Sequence, residues 1–160
     1  MNLGERAVEA VRAHAVTART PFIHEEVGDD IHLTIAIQDR DKYGVLVREI
    51  SLRRSAGRAL PSATLLAEQA AEIEKRFTYL LENFRLIELD QTGGRAQLRS
   101  GAPYIEAGTL HYYEIMLSGG NTLTFARYQR RGKTGEREIE PCYFTEQVLA
   151  RICEDIVAIL

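Results

Sequence analysis

Gly132-Lys133-Thr134 has the form of the end of a phosphate-binding loop, in which backbone N–H groups cradle an anion and the lysine reaches it. The full pattern needs a glycine five residues before Gly132, and that position is Arg127. It also needs a helix directly afterwards, whose N-terminal dipole faces the phosphate. Here Gly135-Glu136-Arg137-Glu138 follows and then Pro141, so the segment reads as a hairpin turn. His111 and Glu114 stand three apart on a predicted strand and therefore point to opposite faces, which prevents a shared metal. His24-Glu25-Glu26, with Asp29 and Asp30, gathers metal-ligating types in one stretch, but such loops rarely match a coordination geometry and a solvated acidic loop is the preferred reading. Cys142 and Cys153 lack CxxC or Cys/His metal spacing, and no GxSxG or HExxH occurs. No catalytic residue, cofactor or metal ligand is assigned on these grounds. A site assembled from distant residues leaves no such local signature.

Two segments concentrate positive charge. Arg40, Lys42, Arg48, Arg53, Arg54 and Arg58 outnumber Asp39, Asp41 and Glu49 in residues 39–58. Arg127, Arg130, Arg131, Lys133 and Arg137 outnumber Glu136 and Glu138 in residues 127–138. Phe125 and Tyr128 interleave with the second group, and an aromatic ring among bases is what stacks a nucleotide. Arg48, Arg127, Arg130, Arg131 and Lys133 are thus the candidate anion-binding residues of a nucleotide- or RNA-binding module. The whole chain is nevertheless acidic, with a formal net charge of −3, and arginines at strand ends also serve solubility and deter edge pairing. Tight nucleic-acid binding is not expected, because affinity from counterion release needs a large basic surface.

Leu110, Tyr112 and Met116 share one face of a predicted strand, and His111, Tyr113, Ile115 and Leu117 share the other. A strand apolar on both faces is normally covered on both. Tyr112, Tyr113 and Met116 therefore form the candidate partner surface.

Around these residues stands an ordinary globular composition. The chain has 160 residues, 45% hydrophobic and 27% charged, so one domain spanning 1–160 is expected. Met1–Arg19 carries Glu5, Arg6, Glu9 and Arg12 where a signal peptide would be apolar. No apolar run reaches the roughly 18 residues needed to cross a bilayer. A cytoplasmic protein without membrane contact is the expectation.

The clearest element is a helix over Ser62–Leu81, where Leu66, Ala70, Ile73, Phe77 and Leu80 form one stripe. Leu3–Ala18 is helical on the same reasoning, and His24–Asp30 is an acidic loop. Ile31–Gln38 alternates as a strand, with Ile31, Leu33, Ile35 and Ile37 pointing one way. Val45–Arg53 is a second strand of mixed pattern, with Leu46, Ile50 and Leu52 on one side and Val45 and Val47 on the other. Two hairpins follow the central helix: Phe84–Asp90 with Arg95–Ser100 about Thr92-Gly93-Gly94, and Thr109–Leu117 with Thr122–Arg130 about Ser118-Gly119-Gly120-Asn121. Glu136–Tyr143 adds a short edge strand with Pro141, and Thr145 caps a last helix carrying Val148, Leu149, Ile152, Ile156 and Ile159.

The expected fold is α+β, an antiparallel sheet of about six strands with three helices mainly on one face. Its order is α-β-β-α-β-β-β-β-α. That order resembles the layout of type III secretion chaperones and related small dimeric domains, a likeness of element order that no motif carries. The leading functional expectation is a non-enzymatic protein-interaction or chaperone-like domain acting as a homodimer. Tyr112 or Tyr113 would lie near the centre of a contact above about 1,000 Å². A nucleotide- or RNA-binding module, and an enzyme with dispersed site residues, are the alternatives.

Overall fold

A computed structural model describes residues 1–13, 22–55, 63–101, 104–132 and 134–160. Three helices and ten strands follow one another as α1 (Leu3–Ala13), β1 (Phe22–Val27), β2 (Ile31–Arg40), β3 (Gly44–Arg54), α2 (Ala63–Arg76), β4 (Phe84–Asp90), β5 (Arg95–Ser100), β6 (Tyr104–Glu106), β7 (Thr109–Ser118), β8 (Thr122–Arg131), β9 (Arg137–Ile139), β10 (Cys142–Thr145) and α3 (Glu146–Ile159). All strands join one antiparallel sheet. Its main path runs β1-β2-β3-β8-β7-β5-β4, with β10 on β3, β6 on β7 and β9 on β8. The fold is α+β and antiparallel as expected, with ten strands in place of about six.

The extra strands come from short segments. Phe22–Val27 is a strand, not an acidic loop: Phe22, His24 and Glu26 are half-buried, while Ile23, Glu25 and Val27 are exposed. Its charged residues hide the alternation from any hydropathy reading. Tyr104–Glu106 is a three-residue strand inside a stretch that Gly101, Pro103 and Gly108 mark as loop. The single edge strand expected over 136–143 divides at Pro141 into β9 and β10, which pair with different partners.

Leu33, Ile35 and Ile37 are fully buried, and Ile31 packs against the same cluster. On β3 the expected grouping is corrected: Val45 and Val47 lie with Ile50 and Leu52 in the core. The pairing steps from Ala36–Glu49 to Ile37–Val47, which leaves Arg48 extra. A bulge shifts the side-chain phase by one residue, so a period-2 reading of the whole strand must fail.

The helices bring their stripes to this same face, with α2 against β4 and β5, α3 against β3 and β10, and α1 against α3 and β1. The stripe Leu66, Ala70, Ile73, Phe77 and Leu80 is buried throughout. The helix itself ends at Arg76, since Phe77-Thr78-Tyr79 are weak helix formers and the rings of Phe77 and Tyr79 stack at 5.8 Å. Helix α1 ends its described span at Ala13, and the expectation for residues 14–18 lies outside the described residues, as does a cap at Ser62. Thr145 caps α3, accepting the Val148 N–H at 3.3 Å. Gly4 lets α1 and α3 touch, because a Cβ there would fall 2.2 Å from the Ala150 carbonyl oxygen. At the β7–β8 turn Gly119 and Gly120 both have positive φ, and buried Gln69 of α2 donates to the Gly120 carbonyl at 3.1 Å.

Candidate functional site

The two candidate tyrosines fall on opposite faces, and the chain itself buries both of their rings wholly or in part. Tyr113 points to the helices, where its ring stacks on Phe125 at 5.6 Å and meets Phe84 and Phe144. Burial pushes its hydroxyl pKa up to about 12. Tyr112 points to the other face and is only 4% exposed. It stacks on Tyr128 at 6.0 Å, and the Arg99 guanidinium lies over its ring. Met116 is half-buried on that face, opposite Gln97. Tyr112 as an exposed anchor is therefore corrected. A strand apolar on both faces is covered here on the second face by arginine stems and a second tyrosine of the same chain.

The centre of that cover is Glu114, whose side chain is 4% exposed. It accepts from Gln97 Nε2 at 2.5 Å, Arg99 Nε at 3.0 Å and Arg137 Nη1 at 2.7 Å. Arg137 also lies 4.1 Å from the Tyr128 ring centroid. Burial lowers the Arg137 pKa and Glu114 more than offsets it, so the net shift is upward and the guanidinium stays charged. Two arginines facing one carboxylate make a satisfied cluster, which holds β5, β7 and β9 together.

A second cluster occupies the helix side of β7 and β8. Arg127 donates to Glu82 at 2.8 Å and to Glu140 at 3.2 Å, and it lies over the Tyr113 ring at 4.4 Å. His111 Nδ1 stands 2.8 Å from the same Glu140 oxygen. Glu140 comes from the segment between β9 and β10, and Glu82 from the connection between α2 and β4, so no local motif could have announced the group. A shallow polar cavity of about 530 Å³ lies near it, lined by Thr109, Gln129, Arg131, Gly135, Glu136 and Glu138.

The candidate anion-binding arginines do not converge. Arg127 is spent on two carboxylates, whereas Arg48 sits at the β3 bulge and donates to Gln38 on the other face of the sheet. Arg130 donates to the Gly132 carbonyl, Arg131 is exposed, and Lys133 lies outside the described residues. No group of three metal-ligating side chains is close enough to hold a cation among the described residues. His111 and Glu114 indeed separate to opposite faces, each into its own cluster. Cys142 and Cys153 are buried free thiols whose pKa values burial pushes up to about 12, far from a reactive thiolate. No described helix is long and apolar enough to cross a membrane.

Several exposed apolar side chains were not singled out by sequence, among them Ile23 and Val27 on β1, at the opposite end of the sheet from β4, which are 62% and 72% exposed. Leu81, between α2 and β4, is 97% exposed and has a positive φ of 64°. Leu86 and Ile87 on β4 are 38% and 54% exposed, and Ile105 on β6 is 64% exposed. Leu86, Ile87 and Ile105 lie on the side of β7 away from β8, since β5 and β6 pair with the same side of β7 and β4 lies beyond β5. No known protein family, curated protein or solved structure matches the chain.

Proposed function

We propose that this chain is a non-enzymatic protein-interaction domain that works by self-association and, through it, in a chaperone-like manner. The observation that carries the reading is the set of exposed apolar residues Leu86, Ile87 and Ile105 on the β4 and β6 side of β7, with Leu81 in the connection that leads into β4. An apolar group left in water forgoes burial, and Leu81 adds the strain of a left-handed backbone, about 1 kcal/mol for a residue with a Cβ. Such groups gathered on one side of a sheet mark a surface that another protein covers. The polar clusters around Glu114 and Arg127 support the reading from the other direction, since their charged groups are already engaged with one another.

Sedimentation equilibrium across the micromolar range tests it. The apparent mass should rise above the 18.0 kDa of one chain as concentration increases. Leu81→Lys, Ile87→Lys and Ile105→Lys combined should leave the fold intact and shift the mass toward one chain. A mass fixed at one chain to high concentration would overturn self-association.

A further inference from the structure

We propose that β4 is the association edge, pairing antiparallel with β4 of a second copy so that Arg85 faces Asp90 and Leu86 faces Leu89 across a two-fold axis. This rests on the self-association reading above and assigns its surface. Strand β4 ends the path of the sheet, and β5 is its one strand neighbour among the described residues. Arg85, Leu86, Ile87 and Glu88 are exposed in succession, where a strand inside a sheet would bury alternate residues.

The segment Arg85-Leu86-Ile87-Glu88-Leu89-Asp90 is complementary to itself in its outer four residues when reversed about the midpoint of Ile87 and Glu88, which meet each other at the axis. Base then meets acid at both ends, and leucine meets leucine next to them. A regular strand could not use this register. A two-fold axis normal to the sheet keeps each side chain on its own face, and residues an odd number apart point to opposite faces. The β4 bulge removes the obstacle. Leu86 pairs with Leu98 and Leu89 with Ala96, so both leucines share the helix-side face. Arg85 pairs with Arg99 and Asp90 with Arg95, so both charged residues share the other face. The single extra residue between Leu86 and Glu88 makes the two halves of β4 related by the axis in phase as well as in sequence.

The edge is also held in check. Glu74 of α2 accepts the backbone N–H of Leu86 at 3.0 Å, taking a donor that the β5 ladder does not use. Pairing with a second copy must displace this carboxylate. Six residues of strand give a contact below the size of stable interfaces, so the dimer is weak and depends on concentration. Arg85 and Asp90 make only local bonds meanwhile, to the Gly101 carbonyl and the Gly93 N–H.

Sedimentation of the full chain tests the assignment, with circular dichroism confirming that each variant folds. Leu86→Lys and Ile87→Lys should abolish the dimer. Arg85→Asp and Asp90→Arg should each be monomeric alone, and their mixture should form a heterodimer, because the two variants restore both charge pairs in trans. Glu74→Ala should tighten self-association by about tenfold, the ratio that one competing charge-assisted hydrogen bond supplies. It remains a readout should Asp90→Arg fail to fold through loss of its turn bond. A wild-type monomer at all concentrations would overturn this assignment together with the self-association reading. A wild-type dimer unaffected by Leu86→Lys, Ile87→Lys and Glu74→Ala would overturn the β4 edge alone, as would equal mixtures of the charge variants that stay monomeric.

Discussion

Glu82 and Arg127 meet at 2.8 Å on the helix side of the sheet, with 17% and 15% of their side chains exposed. Arg127 thereby ties the α2–β4 connection to β8, and through Glu140 it also ties the segment before β10. The other carboxylate oxygen of Glu82 is buried without a hydrogen bond, so the ion pair is what keeps this acid satisfied. Arg127→Ala should therefore destabilise the fold by about 1–3 kcal/mol, the usual cost of stranding a buried polar partner. Arg127→Lys should recover only part of this, because a lysine cannot direct two N–H groups along the fork that reaches Glu82 and Glu140. Urea denaturation of both variants checks the order, and an Arg127→Ala midpoint equal to wild type would show the pair to be inert.

Ile35 carries the packing prediction. It is fully buried at the centre of β2, paired with Ile50 on one side and His24 on the other. Ile35→Ala should cost about 2–5 kcal/mol, the range for buried large-to-small changes. Chemical denaturation should show a lower midpoint with an unchanged slope, and no shift at all would place Ile35 outside the core.

How far the fold was legible follows from such residues. Ile31 to Ile37 alternate cleanly, and the stripe from Leu66 to Leu80 repeats every three or four residues, so both elements could be read directly. Strand β3 could not, because the bulge at Arg48 reverses the phase halfway along it. Strand β1 could not either, because its inward residues include His24 and Glu26, the latter paired with Arg6 at 2.5 Å. The polar clusters were hidden for a different reason. Glu82, His111, Arg127 and Glu140 come from four separate segments, and only the strand register brings them together. Tyr112 was correctly placed opposite Tyr113, but nothing in the sequence shows that Arg99 and Arg137 fold over that face to cover it.

Asp41 gives the pH dependence. One oxygen of its carboxylate accepts from the Tyr43 N–H at 2.8 Å, the Gly44 N–H at 2.9 Å and the Tyr143 hydroxyl at 2.9 Å. These bonds, that to Tyr43 foremost, hold its pKa below the ordinary carboxylate value. A folded pKa below the unfolded one means stability that is full above the unfolded pKa and lost as pH falls through the folded one. The loss therefore belongs to the acid side, below about pH 4. Asp41→Asn should be less stable than wild type near neutrality, and the gap should narrow as the pH is lowered through that window. Thermal melts at a series of pH values measure it; a gap that stays constant would mean that the charge of Asp41 contributes nothing to the β2–β3 turn.

Nucleic-acid binding is the remaining discriminating measurement. The two basic segments look alike in sequence, but their arginines meet different fates. Arg54 pairs with Asp30 at 2.5 Å, Arg127 with Glu82 and Glu140, and Arg137 with Glu114, so each is already engaged by a carboxylate before any phosphate arrives. Arg48 and Arg127 lie on opposite faces, which divides the positive charge that a single backbone would have to meet. A strand of RNA or DNA could release counterions only from scattered residues such as Arg130 and Arg131, and affinity falls steeply with the number of phosphates neutralised. Fluorescence anisotropy with short single-stranded RNA and DNA should therefore show no micromolar binding at about 0.15 M salt, where charges farther apart than about 8 Å are screened. Micromolar binding that disappears in Arg130→Ala and Arg131→Ala would instead place a nucleic-acid surface at the end of β8, and the interaction-domain reading would have to give way to it.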